Sequence, residues 1–63
     1  MMDIKTGDRV CAKETGDLEW VVVEMPGYSR VFPDDYLCLD ENDGMFGLIA
    51  PGEITHVNGE VLN

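Results

Sequence analysis

Apolar and polar residues alternate along this chain in short blocks, and glycine or proline closes each block. Gly7, Gly16, Pro26-Gly27, Pro33, Gly44, Gly47, Pro51-Gly52 and Gly59 leave no stretch of twelve residues with a helical stripe. Side chains with a period of two line opposite faces of a strand, so the pattern predicts strands. The segment "RVCAKE" (9–14) predicts the first, with Val10 and Ala12 on one face and Cys11 and Lys13 on the other. "ETGD" (14–17) predicts a turn. "LEWVVVEM" (18–25) predicts the strongest strand, because β-branched and aromatic residues fit a pleated, half-buried surface. It sets Val21, Val23 and Met25 against Trp20, Val22 and Glu24, and its all-apolar centre predicts partial cover on both faces.

"PGYSRVFPDD" (26–35) predicts the longest irregular connection, entered by a tight Pro26-Gly27 turn. "DYLCLD" (35–40) predicts a third strand, with Leu37 and Leu39 inward and Tyr36 and Cys38 outward. "ENDG" (41–44) predicts the hairpin turn into "MFGLIA" (45–50), and Gly47 within that strand predicts a bulge or sharp bend. "PGE" (51–53) predicts one short helical turn, and "ITHV" (54–57) a last strand. Asn58-Gly59 leaves two outcomes, a short C-terminal hairpin arm or a frayed end. Five short strands at regular spacing predict an all-β small barrel or sandwich. The chain has no internal repeat and no low-complexity segment.

The length of 63 residues predicts a single domain over 1–63. A chain this short buries only about 60% of the surface that its unfolded state exposes. The apolar fraction of 44% is that of a folded globule rather than a disordered segment. No apolar run approaches the ~18–20 residues of a membrane span, and the N-terminal "MMDIKTGDRV" lacks the basic and apolar regions of a secretory signal. The expected location is the cytoplasm. Cys11 and Cys38 are too few and too far apart for a disulfide scaffold, so two free thiols are expected, with a bridge between strands as the alternative.

Charge changes the functional picture. The net charge is −9, and it is lopsided. Residues 1–30 hold six acids and all four bases; residues 31–63 hold seven acids, no lysine and no arginine, a net of −7. Phosphate contacts need Lys and Arg, so direct binding to nucleic acid or to an anionic membrane is disfavoured. A basic protein partner is the electrostatically natural one.

The run "IKTGDRVCAK", then "EWVVVEM", then a hairpin, then "PGEI" before a last strand resembles the SH3-like small β-barrels of bacteria and phages. The resemblance rests on Gly7-Asp8 with Val10, on Trp20–Glu24 and on Pro51–Glu53, and covers roughly residues 4–57. It implies a five-stranded barrel with a single 3-10 turn ahead of the fifth strand, and it carries no chemistry. Members of that class that bind nucleic acid have basic and aromatic loops. Here the loops carry Asp17, Asp34, Asp35, Glu41 and Asp43, so that activity is not implied. By size and charge alone the chain is also similar to acidic phage inhibitors of the anti-CRISPR and anti-restriction kind.

The candidate chemistry is thin. "DENDG" (40–44) fails the calcium-loop spacing, which would place Gly44 at a ligand position and Pro51 where a glutamate is required. His56 with Cys11 and Cys38 falls short of the four ligands of a structural zinc site. Either thiol with His56 would form a nucleophile–base pair with nothing to orient the base. No metal, cofactor or catalytic residue is expected, and the chain reads as a non-enzymatic binding protein. The expected partner-binding set is Asp34, Asp35, Asp40, Glu41 and Asp43 with Tyr28 and Tyr36. Carboxylates on strands ~4.8 Å apart would imitate a row of phosphates on a basic, nucleic-acid-binding partner. The aromatics, Trp20 included, would either add contact area or complete the small core. The alternative function is an SH3-like interaction module that binds a peptide, docks into an assembly or forms a homodimer through a strand edge, its acids serving solubility.

Overall fold

The computed structural model describes residues 3–62. These form six strands, β1 (Arg9–Ala12), β2 (Glu19–Glu24), β3 (Tyr36–Asp40), β4 (Met45–Ile49), β5 (Ile54–Val57) and β6 (Glu60–Val61), with one 3-10 turn at Pro51–Glu53 between β4 and β5. All pairings are antiparallel, in one sheet of order β4-β3-β2-β1-β5-β6. The sheet does not close: β4 lies at one edge and β6 at the other. Among the described residues no helix is long and apolar enough to cross a membrane.

The predicted turns form where their residue chemistry requires. Gly27 has φ +96° after Pro26, and the Tyr28 amide reaches back to the Met25 carbonyl at 3.4 Å. Asn58 and Gly59 both have positive φ and join Val57 to its partner Glu60, the two-residue loop that strand twist favours. The C-terminal segment is therefore a hairpin arm. The Leu62 amide bonds to the Thr55 carbonyl at 2.8 Å, and the Leu62 side chain packs against the core.

The core sits on one face of the bent sheet. It comprises Val10 and Ala12 of β1, Val22 of β2, Tyr36 and Cys38 of β3, and Ile49, Ile54 and Val57. The register shifts between Val22 and Glu24 against β3, and again between Cys11 and Ala12 against β5, and such irregularities bend a sheet over its core.

Two expectations are corrected. In β3 the faces are reversed: Tyr36 and Cys38 are buried, and Leu37 and Leu39 are only half-buried on the opposite face. Register decides this, because Cys38 pairs with both Val22 and Gly47 in the interior. Nor does Gly47 make a bulge, since β3 and β4 pair without interruption from Tyr36↔Ile49 to Asp40↔Met45. Its lack of a side chain admits Trp20: a β-carbon there would stand 2.9 Å from two atoms of the indole ring. The indole N–H donates to Thr15 Oγ1 at 3.1 Å, so Trp20 packs against the core with its polar atom satisfied.

Candidate interaction surface

The acids singled out in the sequence lie at the two ends of β3 and form no continuous row. Asp34 and Asp35 precede the strand; Asp40, Glu41 and Asp43 end it or follow it. Five strand residues at ~3.3 Å each hold the two groups ~17 Å apart.

The second group is engaged within the chain. Asp40 is buried, and its Oδ1 accepts the Asn42 amide at 3.0 Å while its carbonyl accepts the Gly44 amide at 2.8 Å. Asp43 Oδ1 accepts the Met45 amide at 2.9 Å. Both carboxylates thus build the β3–β4 turn, as short polar side chains do by bonding backbone two residues on. Glu41 Oε1 lies 2.8 Å from Arg9 Nη1 across the sheet, both side chains about half exposed. The expected aromatic contacts also separate, with Tyr28 exposed in the 26–35 loop and Tyr36 in the core.

A different surface gathers around β4. Phe46 and Leu48 pair with Leu39 and Leu37 and so share their face, turned away from the core. All four are apolar, and Phe46 is 61% exposed. The 26–35 loop approaches from the other side, held by the Gly27 amide on the Pro33 carbonyl and by Ser29 Oγ, which accepts the amides of Val31 and Phe32. Between loop and strand lies a groove of about 490 Å³. Val31, Phe32, Leu37, Phe46 and Leu48 supply its apolar wall, and Glu24 and Asp35 its carboxylates. A second hollow of about 310 Å³ lies across β4 toward the 3-10 turn, where Glu14, Glu53 and Asp35 join Thr15 and Trp20. Gly47 and Leu48 border both, so the outer edge of β4 runs between two concavities. Their described linings hold four carboxylates (Glu14, Glu24, Asp35 and Glu53) and neither lysine nor arginine.

Three of those four carboxylates, and the apolar pair Phe46 and Leu48, are not in the set expected from the sequence. A signal was present. Phe46 and Leu48 share a parity that excludes Gly47 and Ile49, and an antiparallel sheet commonly buries one face and leaves the other to solvent.

The surroundings of the two thiols oppose their ionisation. Cys11 and Cys38 are both free. Burial pushes the Cys38 thiol up to about 11. Burial also raises Cys11, reinforced by the negative charges of Glu19 and Asp17. Cys11 pairs across the sheet with His56, whose Nδ1 lies 2.9 Å from Thr55 Oγ1. A thiol in such surroundings stays protonated at neutral pH, and the thiolate is the nucleophile and metal ligand. Among the described residues, no group of three or more His, Cys, Asp or Glu side chains is placed to hold a metal ion. Comparison with protein-family models, with curated proteins and with solved structures finds no match to this chain.

Proposed function

We propose that this chain is a non-enzymatic interaction module of the SH3-like kind, which seats a basic part of a protein partner in the groove between β4 and the 26–35 loop. The single observation that carries the reading is the pairing of exposed apolar side chains with uncompensated carboxylates around one strand. Contiguous exposed apolar surface on a small protein marks interaction sites, and a carboxylate rim selects a cationic occupant. The order β4-β3-β2-β1-β5, with a 3-10 turn ahead of β5, supports the SH3-like assignment.

A second reading, a phosphate-mimicking inhibitor that covers a nucleic-acid-binding surface, draws support from the net charge of −7 over residues 31–63. It relies on Glu41 and Asp43, which the chain already uses. The groove is therefore the better-supported contact.

The test is capture of the partner by tagged protein, followed by its identification. The expected partner is basic, is released as salt rises, and is lost when Phe46→Ser and Leu48→Ser are combined. Both side chains are exposed, so the variant should keep its fold. Capture that survives this variant unchanged overturns the reading.

A further inference from the structure

The groove is only half of what β4 offers; the other half is its backbone. Among the described residues β4 pairs with β3 alone, so one of its two edges has no strand beside it in the sheet. An unpaired edge is a template for another strand, and small proteins usually blunt theirs with lysine, proline or a bulge. Met45–Ile49 contains none of these.

We propose that this edge receives an extended segment of the partner as an added strand, in which apolar residues alternate with lysine or arginine. The proposal rests on the groove reading above and specifies the occupant. Its two halves have separate grounds. An added strand lies ~4.8 Å from β4 and points successive side chains to opposite faces. One set enters the groove of Phe46, Leu48, Val31 and Phe32, which takes apolar groups. The other set faces the hollow that holds Glu14, Glu53 and Asp35, which takes cations. The five residues of β4 match a partner segment of five or six residues, and backbone hydrogen bonds would supply affinity while the alternating side chains supply specificity.

The same charges argue against a second copy of this chain as the occupant. Pairing two β4 edges would bring Glu14, Glu53 and Asp35 of each copy toward the other, and each chain carries −9. Like charges brought together in this way oppose association.

The experiment uses the intact isotope-labelled protein and three capped octapeptides. One alternates valine with lysine, one alternates valine with glutamate, and one repeats the lysine sequence with N-methyl groups on the edge-facing amides. The lysine peptide is expected to shift the amide signals of residues 45–49. It should also slow hydrogen exchange at β4 amides not bonded to β3 by about tenfold or more. N-methylation removes more than one edge hydrogen bond and is expected to weaken binding by at least about tenfold, the scale of a single one. Combining Glu14→Lys with Glu53→Lys is expected to weaken it by about tenfold as well. The glutamate peptide should not bind.

Three results would overturn the proposal. The lysine peptide could move Phe46 and Leu48 signals while N-methylation and β4 exchange show no effect; strand addition then fails and the groove reading survives. The lysine peptide could fail to bind at millimolar concentration; the partner-capture experiment then judges the broader reading on its own. Sedimentation could reveal a dimer that Phe46→Ser dissolves; the edge then belongs to a second copy.

Discussion

Gly47 and Cys38 face each other across β3 and β4, and Gly47 has no side chain where the Trp20 ring occupies the space beside it. Gly47→Ala would put a methyl group 2.9 Å from two ring atoms, so the indole or the strand must move. The expected loss is ~1–3 kcal/mol, the usual cost of overpacking, measured by urea denaturation. Cys38 gives a pH signature. Its thiol is pushed up to about 11 by burial, so the fold holds the neutral form. That contribution is complete below the unfolded thiol's value near ~8.5 and is lost as pH climbs from there through the folded value. Stability should therefore decline from about pH 8.5 upward. Cys38→Ala should lower stability at neutral pH and flatten this alkaline slope. An unchanged slope in that variant would remove Cys38 as its cause.

At the scale of elements, the β5–β6 hairpin depends on Asn58. Its backbone takes φ +51°, which asparagine tolerates better than most residues. Its Oδ1 accepts the Arg9 amide at 3.0 Å and its Nδ2 donates to Asp8 Oδ1 at 3.3 Å, tying the hairpin to the entry of β1. Asp8 is held below the usual carboxylate range, first by the Lys5 amide and then by Asn58. Asn58→Ala loses both the backbone tolerance and the bonds, at an expected ~1–2 kcal/mol. Asn58→Gly keeps the turn and loses only the bonds, so it should cost less, and in both variants the Asp8 carboxyl should titrate at higher pH by NMR. The strands and turns were readable because local chemistry dictates them: Pro26-Gly27 and Pro51–Glu53 occur where predicted, and Asn58-Gly59 takes the hairpin arm of its two outcomes. The facing of β3 was not readable. Parity separates Tyr36 and Cys38 from Leu37 and Leu39, but hydrophobicity favours the leucines as the buried pair. The outcome depends on register with β2 and on the space filled by Trp20, which are tertiary facts.

Across the whole molecule, the charge imbalance was legible in the sequence and its placement was not. Counting along the chain drew attention to Asp40, Glu41 and Asp43, which are near in sequence and serve the β3–β4 turn and Arg9. The carboxylates that line the two concavities beside β4, Glu14, Glu24, Asp35 and Glu53, come from four separate segments and are placed there by the fold. The contact surface proposed for the molecule therefore lies along β4, and the 41–44 turn is the alternative to be tested against it. The most direct measurement is calorimetric titration of the valine–lysine octapeptide into three proteins, namely the parent, the Glu14→Lys/Glu53→Lys variant and a Glu41→Lys/Asp43→Lys variant. The expected result is about tenfold weaker binding for the first variant and a change within about twofold for the second. Weakening confined to the second variant would contradict it and return the contact surface to the turn.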